Sequence, residues 1–423
     1  MNMPNVRICS EIGQLEKVIV HSPGREIEVM TPKTAGEVLY NDILTLPVVA
    51  QDHEGLTETL KRVTKVFEVT DLLTDVLQNE EVRLNFIHTI LTFDDAMELE
   101  PMLREMRPAE LTKAVVEGVR EPKNTLERYL SGRTYAIPPL PNLYFMRDSA
   151  IVFRGKVITG SMANKVRAGE AIIAKTIFGH HPEFKSEGFI FDGTKEGNKS
   201  VTIEGGDFLA IGRNVVAAGV SERTTPRSLD IFLSRIRQSI TEPFHLFAVV
   251  LPRERATIHL DMVFTMVDLN QCVVYEPYII GKERLPVIHM TVTPDSRTRM
   301  EEVPDLIQGL SDIGIPVDPI ICGGSKRVDQ EREQWLSGTN FFAFAPGKIL
   351  GYACNYHTLR ELERAGFQAV PVADVVSDKV DINVMDKVVV GIEGAELARG
   401  GGGVRCMTMP VQRKPLDGKT GIF

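Results

Sequence analysis

Cys406, His259, Glu204, Asp148 and Asp261 are the residues of this 423-residue chain whose types could do covalent chemistry as a group. A cysteine with a histidine and carboxylates is the make-up of a thiolate nucleophile and its acid/base partner. One carboxylate suffices to orient a histidine, so Asp148 and Asp261 call for a second explanation beside Glu204. Two further carboxylates suit a planar cation with several N–H donors, such as a guanidinium, and an amidine carbon is a target for a thiolate. Each motif also has a plainer reading. "IEGGD" alone reads as a turn, "HLD" as a strand-edge histidine, and a lone cysteine as a small buried hydrophobe. The cysteine sits behind four glycines in "GGGGVRCMTMP", Gly400 to Pro410. Glycines in such a run either fray or let backbone approach something closely, and the apolar, β-capable "CMTMPV" that follows favours close approach to something rigid.

The weight of the set comes from the elements that must position it. Four segments share one plan, a short apolar run, a tight polar turn and a second run: "AIVFRGKVITG" from Ala150, "FLAIGRNVVAAG" from Phe208, "VFTMVDLNQCVVYE" from Val263 and "FFAFAPGKILGYA" from Phe341. Each predicts a β-hairpin. "LEKVIVHSPG" and "DKVVVGIEGAEL" are candidates for a further unit. Helical patterns lie between, such as "SLDIFLSRIRQSI" and "YHTLRELERAGF", the latter with Gly366 suited to a helix C-terminus. A hairpin-plus-helix unit recurring about five times predicts a closed, radially repeated α/β architecture. "NLYFMRD", "IEGGD", "HLD" and "GTN" precede the four hairpins, so ionisable and polar residues hold the same place in each unit. Units arranged about an axis bring those places to one end of it.

One region departs from the plan. From about Thr74 to Arg133 the pattern is helical without a strand signal, with Pro108 suited to a first turn and Gly118 to an end. The proline-rich "AIPPLPNLY" then returns the chain to the main body. The expected organisation is a body of residues 1–73 and 139–423 with a helical insertion at 74–138.

Composition narrows the classes. With 43% hydrophobic and 25% charged residues the chain is ordinary globular material. The net charge of -9 argues against nucleic-acid and anionic-membrane partners. The N-terminus lacks the apolar stretch of a signal peptide, and no run of roughly 18 apolar residues occurs. A cytoplasmic protein is the expectation. Cys9, Cys272, Cys322, Cys354 and Cys406 form an odd, scattered set without a CxxC pair, which predicts reduced thiols rather than a disulfide framework or a zinc site.

The ordered motifs "SEIGQLEKVIVHSPG", "PNLYFMRD", "IEGGD", "GVSERT", "HLDMVFTMVD", "REQWLSGTN" and "RCMTMP" resemble those of the arginine deiminases, within the guanidine-modifying enzyme superfamily, over nearly the whole chain. The resemblance implies a five-bladed α/β propeller with an inserted helical domain. It implies hydrolysis of L-arginine to L-citrulline and ammonia through a thiouronium intermediate, with neither metal nor organic cofactor, in an enzyme that is commonly a dimer or tetramer. Cys406 then resembles the nucleophile, His259 the general acid/base, Glu204 its supporting acid, and Asp148 and Asp261 the anchors of the guanidinium. Arg167 and Arg223 resemble the residues that bind the α-carboxylate, and Asn142 and Phe145 neighbouring contacts to the amino-acid end. The chain departs from the family at Gly401, where some members carry an arginine on a gating loop, and at Cys354, where "YACN" replaces "YxRN". Other guanidino substrates such as agmatine or a methylarginine, a dihydrolase activity, and an inactive arginine-binding homologue are the alternatives.

Overall fold

Two-residue turns set the local plan. In the computed structural model, which describes residues 4–31, 38–40, 42–295 and 297–416, Ala150–Phe153 pairs antiparallel with Lys156–Thr159 across Arg154 and Gly155. Arg154 takes φ 56°, the left-handed conformation common in tight hairpins. Phe208–Gly212 pairs with Val215–Val220, Phe264–Asp268 with Gln271–Val274, and Phe342–Ala345 with Lys348–Tyr352, each across two residues. All four expected hairpins form.

Each hairpin's second strand then takes a parallel partner: Phe189–Asp192, Phe244–Val250, Asp318–Ile321 and Val388–Ile392, in order. Parallel pairing needs a crossover, and helices Ala168–His180, Pro226–Ile236, Leu306–Asp312 and Tyr356–Arg364 lie within the four connections. Strand Gln368–Pro371 adds to the far side of Val388–Ile392. A fifth sheet repeats the plan from both ends of the chain. Met409–Arg413 pairs antiparallel with Leu15–Val20, which pairs parallel with Lys65–Glu68 across helix Leu46–Lys61. The expectation that "DKVVVGIEGAEL" joins the N-terminal strand is therefore corrected, because Val388–Ile392 is the parallel strand of the fourth sheet. Its apolar run suits a strand buried on both faces and carries no mark of which sheet it enters.

Two further features bear on the plan. Strands Val287–Val292 and Thr298–Val303, although they lie between the second and third strands of the third unit in sequence, pair onto Phe244–Val250 and extend the second sheet to five strands. In the expected helical region, helices Glu80–Asp94, Glu100–Glu105 and Pro108–Glu117 form, with Pro108 in the first turn and Gly118 at φ 84° ending the last. One strand pair does interrupt it, Val119–Arg120 with Tyr135–Ile137, too short for an alternation to be read. Among the described residues no helix is long and apolar enough to cross a membrane.

The first two units share an aromatic core in which Phe153, Phe208, Phe232 and Phe244 make edge-to-face contacts with ring centroids 5.2 to 6.0 Å apart. Such pairs add to the area term of burial. Phe232, on the second unit's helix and 1% exposed, touches the other three rings. Phe232→Ala is expected to cost about 3–5 kcal/mol through the cavity it leaves, measured as a lowered midpoint in urea denaturation with an unchanged m-value.

Candidate active site

The short turns before the five first strands meet and join in a ring. Gly206 N donates to Asp148 Oδ1 at 3.1 Å, and Leu260 N to Asp207 Oδ1 at 2.9 Å. Asn340 Nδ2 donates to the Asp261 carbonyl at 3.3 Å, Cys406 N to Asn340 Oδ1 at 3.1 Å, and Arg147 N to the Cys406 carbonyl at 3.0 Å. Five bonds thus link units one to five and back to one. The glycines before Cys406 are required by this crowding. A Cβ on Gly402 would strike the Phe145 ring, and one on Gly403 the Asn340 side chain 2.6 Å away.

Of the ring's residues, Asp148 and Cys406 line a cavity of about 310 Å³. Seven of the nine expected site residues line it: Asn142, Phe145, Asp148, Arg167, Arg223, His259 and Cys406. The other two stand directly behind. Glu204, fully buried, accepts from His259 Nε2 at 3.0 Å through Oε2, and Asp261 Oδ2 lies 3.8 Å from Cys406 Sγ. His259 Nδ1 faces Asp148 Oδ1 at 3.8 Å. Asp261 Oδ1 is buried without a partner among the described residues. Asn142 Nδ2 donates to the Val38 carbonyl at 2.8 Å, which fixes the segment that brings Leu39 to the cavity.

The two arginines differ. Arg167 gives Nε and Nη2 to Glu170 and Nη1 to Asp148 Oδ2 at 2.7 Å, with Nη2 also 3.3 Å from the Phe145 carbonyl. Arg223 donates Nη1 to Glu204 Oε2 at 3.3 Å and keeps a buried Nε unpaired among the described residues. Arg167 is therefore neutralised by its neighbours, whereas Arg223 retains a donor.

These contacts decide the protonation states. Burial works against a charged His259, but the Asp148 charge, the Glu204 hydrogen bond and the Asp207 charge outweigh it and lift the imidazole to about 9. Burial likewise pushes Glu204 up, yet Arg223, His259 and Arg167 together hold it at about 2. The Cys406 thiol is driven well above its ordinary value by burial and by the Asp261 and Asp148 charges. At neutral pH the site holds an imidazolium, a carboxylate beside it and a neutral thiol.

Sequence reasoning missed several residues. Glu170, which clamps Arg167, is lifted to about 7 by burial against the pull of that arginine. Asn340 was signalled only as the polar residue before the fourth hairpin. Arg253 and Arg255, near the cavity mouth, and Leu39, at φ 70°, carried no signal. Arg405 and Glu11 lie in the quoted motifs "RCMTMP" and "SEIGQLEKVIVHSPG", but nothing in the sequence signalled that they meet, at 3.1 Å from positions 394 apart.

The residues 36–413 match the family model described as arginine deiminase. The chain belongs to the arginine deiminase family. It is 31% identical over 422 residues to the arginine deiminase of Mycobacterium marinum (strain ATCC BAA-535 / M), covering 96% of this chain and 98% of that one. It is 30% identical over 430 residues to that of Oenococcus oeni (strain ATCC BAA-331 / PSU-1), covering 97% and 98%. Among solved structures it is similar to an amidinotransferase from Microseira wollei of the saxitoxin biosynthetic pathway, with TM-score 0.54 at 13% identity over 97% of this chain and 98% of that one. The substrate-bound N-terminal domain of ArgZ, an arginine dihydrolase from the ornithine-ammonia cycle in cyanobacteria, gives 0.51 at 13% identity over 95% and 99%. At that identity the likeness is one of mixed α/β fold.

Of the two departures from the arginine deiminase pattern, Gly401 lines the cavity at φ 93°, and Cys354 lies half-buried outside it. All five cysteines are free thiols. At Gly206 a Cβ would overlap His259 Nδ1. Gly206→Ala is expected to push the ring from Asp148 and Glu204 and to lower its pKa from about 9 toward the ordinary 6.5. Titration of the imidazole ring protons by NMR reads this directly, and an unmoved midpoint contradicts it.

Proposed function

We propose that this arginine deiminase family member converts L-arginine and water to L-citrulline and ammonia, with Cys406 as nucleophile and His259 as general acid and base. The observation that most supports this reading is the meeting of a thiol, an imidazolium and the Asp148 carboxylate on one small cavity, with the Glu204 and Asp261 carboxylates directly behind. A guanidinium between Asp148 and Asp261 would satisfy the unpaired Asp261 Oδ1 and take the place of Arg167 Nη1 on Asp148. It would also offset the two negative charges that hold the thiol proton, so substrate binding itself favours the thiolate.

In this reading the thiol proton passes to solvent as the guanidinium binds, Sγ bonds to the guanidinium carbon, and the tetrahedral adduct expels one nitrogen as ammonia with a proton from His259. The thiouronium that remains is attacked by a water whose proton passes to the neutral imidazole. Collapse of the second adduct breaks the C–S bond, gives the hydroxyl proton to solvent, releases citrulline and restores the thiolate beside an imidazolium. Glu204 holds the ring and stabilises its charged form. Arg223, with its spare buried donor, is the better placed of the two arginines to take the α-carboxylate, and Arg167 can share it on leaving Asp148.

The proposal includes the architecture. The five sheets are read as blades about the axis marked by the hydrogen-bonded ring, with residues 1–73 and 139–423 as the propeller and 74–138 as its helical insertion. A homo-oligomer in the cytoplasm completes the reading.

Cys406→Ala should remove citrulline formation while the melting curve stays close to that of the wild type, and mass spectrometry of quenched wild-type reactions should find an adduct on Cys406. Turnover by the alanine variant would defeat the covalent route. Substrate identity has its own test. Agmatine lacks the carboxylate and leaves desolvated arginine donors unmatched, so kcat/KM should favour arginine by roughly three orders of magnitude. Arg223→Ala should cut the arginine rate far more than the agmatine rate; equal losses would remove the carboxylate contact from the account.

A further inference from the structure

Asp261, like Cys406, serves the ring with its backbone carbonyl and keeps its side chain out of it. The freed Oδ2 accepts from Arg405 Nη1 at 2.8 Å and is the same oxygen that lies 3.8 Å from Cys406 Sγ. Arg405 is 1% exposed and cannot move independently. Its Nε donates to Glu11 Oε2 at 3.1 Å and its Nη2 to the Phe208 carbonyl at 3.0 Å. Glu11 is fixed in turn by Ala210 N, which donates to Oε1 at 3.1 Å. Every polar face of the guanidinium is thus engaged, and the carboxylate it holds has one oxygen committed and one open.

We propose that Arg405 is a positioning residue: anchored by Glu11, it fixes Asp261 Oδ2 so that Oδ1 remains for the substrate guanidinium, and it sets a positive charge close to the Cys406 sulfur. The inference rests on Cys406 and Asp261 acting as assigned above. A guanidinium bonded through its three nitrogens to Glu11, the Phe208 carbonyl and Asp261 at once is fixed in place and holds Asp261 Oδ2 at a set position, which is the geometric service an arginine gives and a lysine does not. The charge matters as well. The groups that bear on the thiol are Asp261 and Asp148, which raise it, and Arg405 with the Gly403 backbone, which lower it. The phenols Tyr144 and Tyr352 stand in the same field, and His259 faces it across the cavity.

Arg405→Met and Arg405→Lys separate this from a purely structural role, with melting curves recorded for both. The rate at which iodoacetamide labels Cys406 in substrate-free protein, followed by mass spectrometry against pH, reads the thiol without relying on turnover. Arg405→Met should move the labelling midpoint upward by about one pH unit or more and lower kcat/KM on the order of 100-fold. Arg405→Lys keeps the charge and loses the fork. Its labelling profile should stay at the wild-type position while KM for arginine rises by about tenfold. A lowered melting temperature with unchanged labelling profile, KM and kcat in Arg405→Met means a structural role only and overturns the proposal. Should Arg405→Met not fold, a wild-type KM in Arg405→Lys overturns it equally. Retained turnover in Cys406→Ala would instead strike the nucleophile assignment, a separate outcome.

Discussion

The hydrogen bonds that run from Gly206 to Asp148, from Leu260 to Asp207, from Asn340 to Asp261, from Cys406 to Asn340 and from Arg147 to Cys406 tie five sheets that share no strand. Buried backbone donors must find partners, and here each unit's turn finds them on the neighbouring unit's turn. The arrangement fixes the distances among residues that are hundreds of positions apart. It also explains why the units repeat a short polar turn before the first strand rather than a looser loop. The closure depends on both ends of the chain, since the fifth sheet is assembled from Leu15–Val20 and Met409–Arg413.

Within that ring the repeat is broken where chemistry is proposed. Asp148, Asp207 and Asn340 spend a side-chain oxygen on the ring. In the third and fifth units the acceptor is a backbone carbonyl, of Asp261 and of Cys406. Those two side chains are released, and they lie 3.8 Å apart. A repeated scaffold thus secures the site, and departures from the repeat equip it.

Burial makes the arrangement costly unless charges are matched, because a carboxylate or guanidinium withdrawn from water needs a partner. The core meets this with chained pairs: Glu11, Arg405 and Asp261 on one side of the cysteine, and Glu170, Arg167 and Asp148 on the other. Each chain ends on an acid proposed to grip the substrate guanidinium. Asp261 has an oxygen to spare, and Asp148 holds a protein arginine that a substrate can replace. The protein's own arginines therefore partner these acids in the way that a cation of the same shape would.

The residues that could do chemistry and the hairpins that carry them were legible because both are local. Alternation, two-residue turns and the recurrence of polar residues before each first strand are written within a dozen positions, and the family motifs lie in the same short stretches. What tertiary structure decided is non-local. Val388–Ile392 entered the fourth sheet, and the Val287–Val303 hairpin joined the second, because an apolar strand does not encode its neighbour. Arg167 was expected to wait for a carboxylate and is found clamped by Glu170 and resting on Asp148. The partnership of Glu11 with Arg405 had no sequence signal, since its strength comes from exclusion of water at a point where the two ends of the chain meet. The types of the reactive groups are a property of the sequence; their charge states and mutual distances are set by burial and by the ring that closes around them.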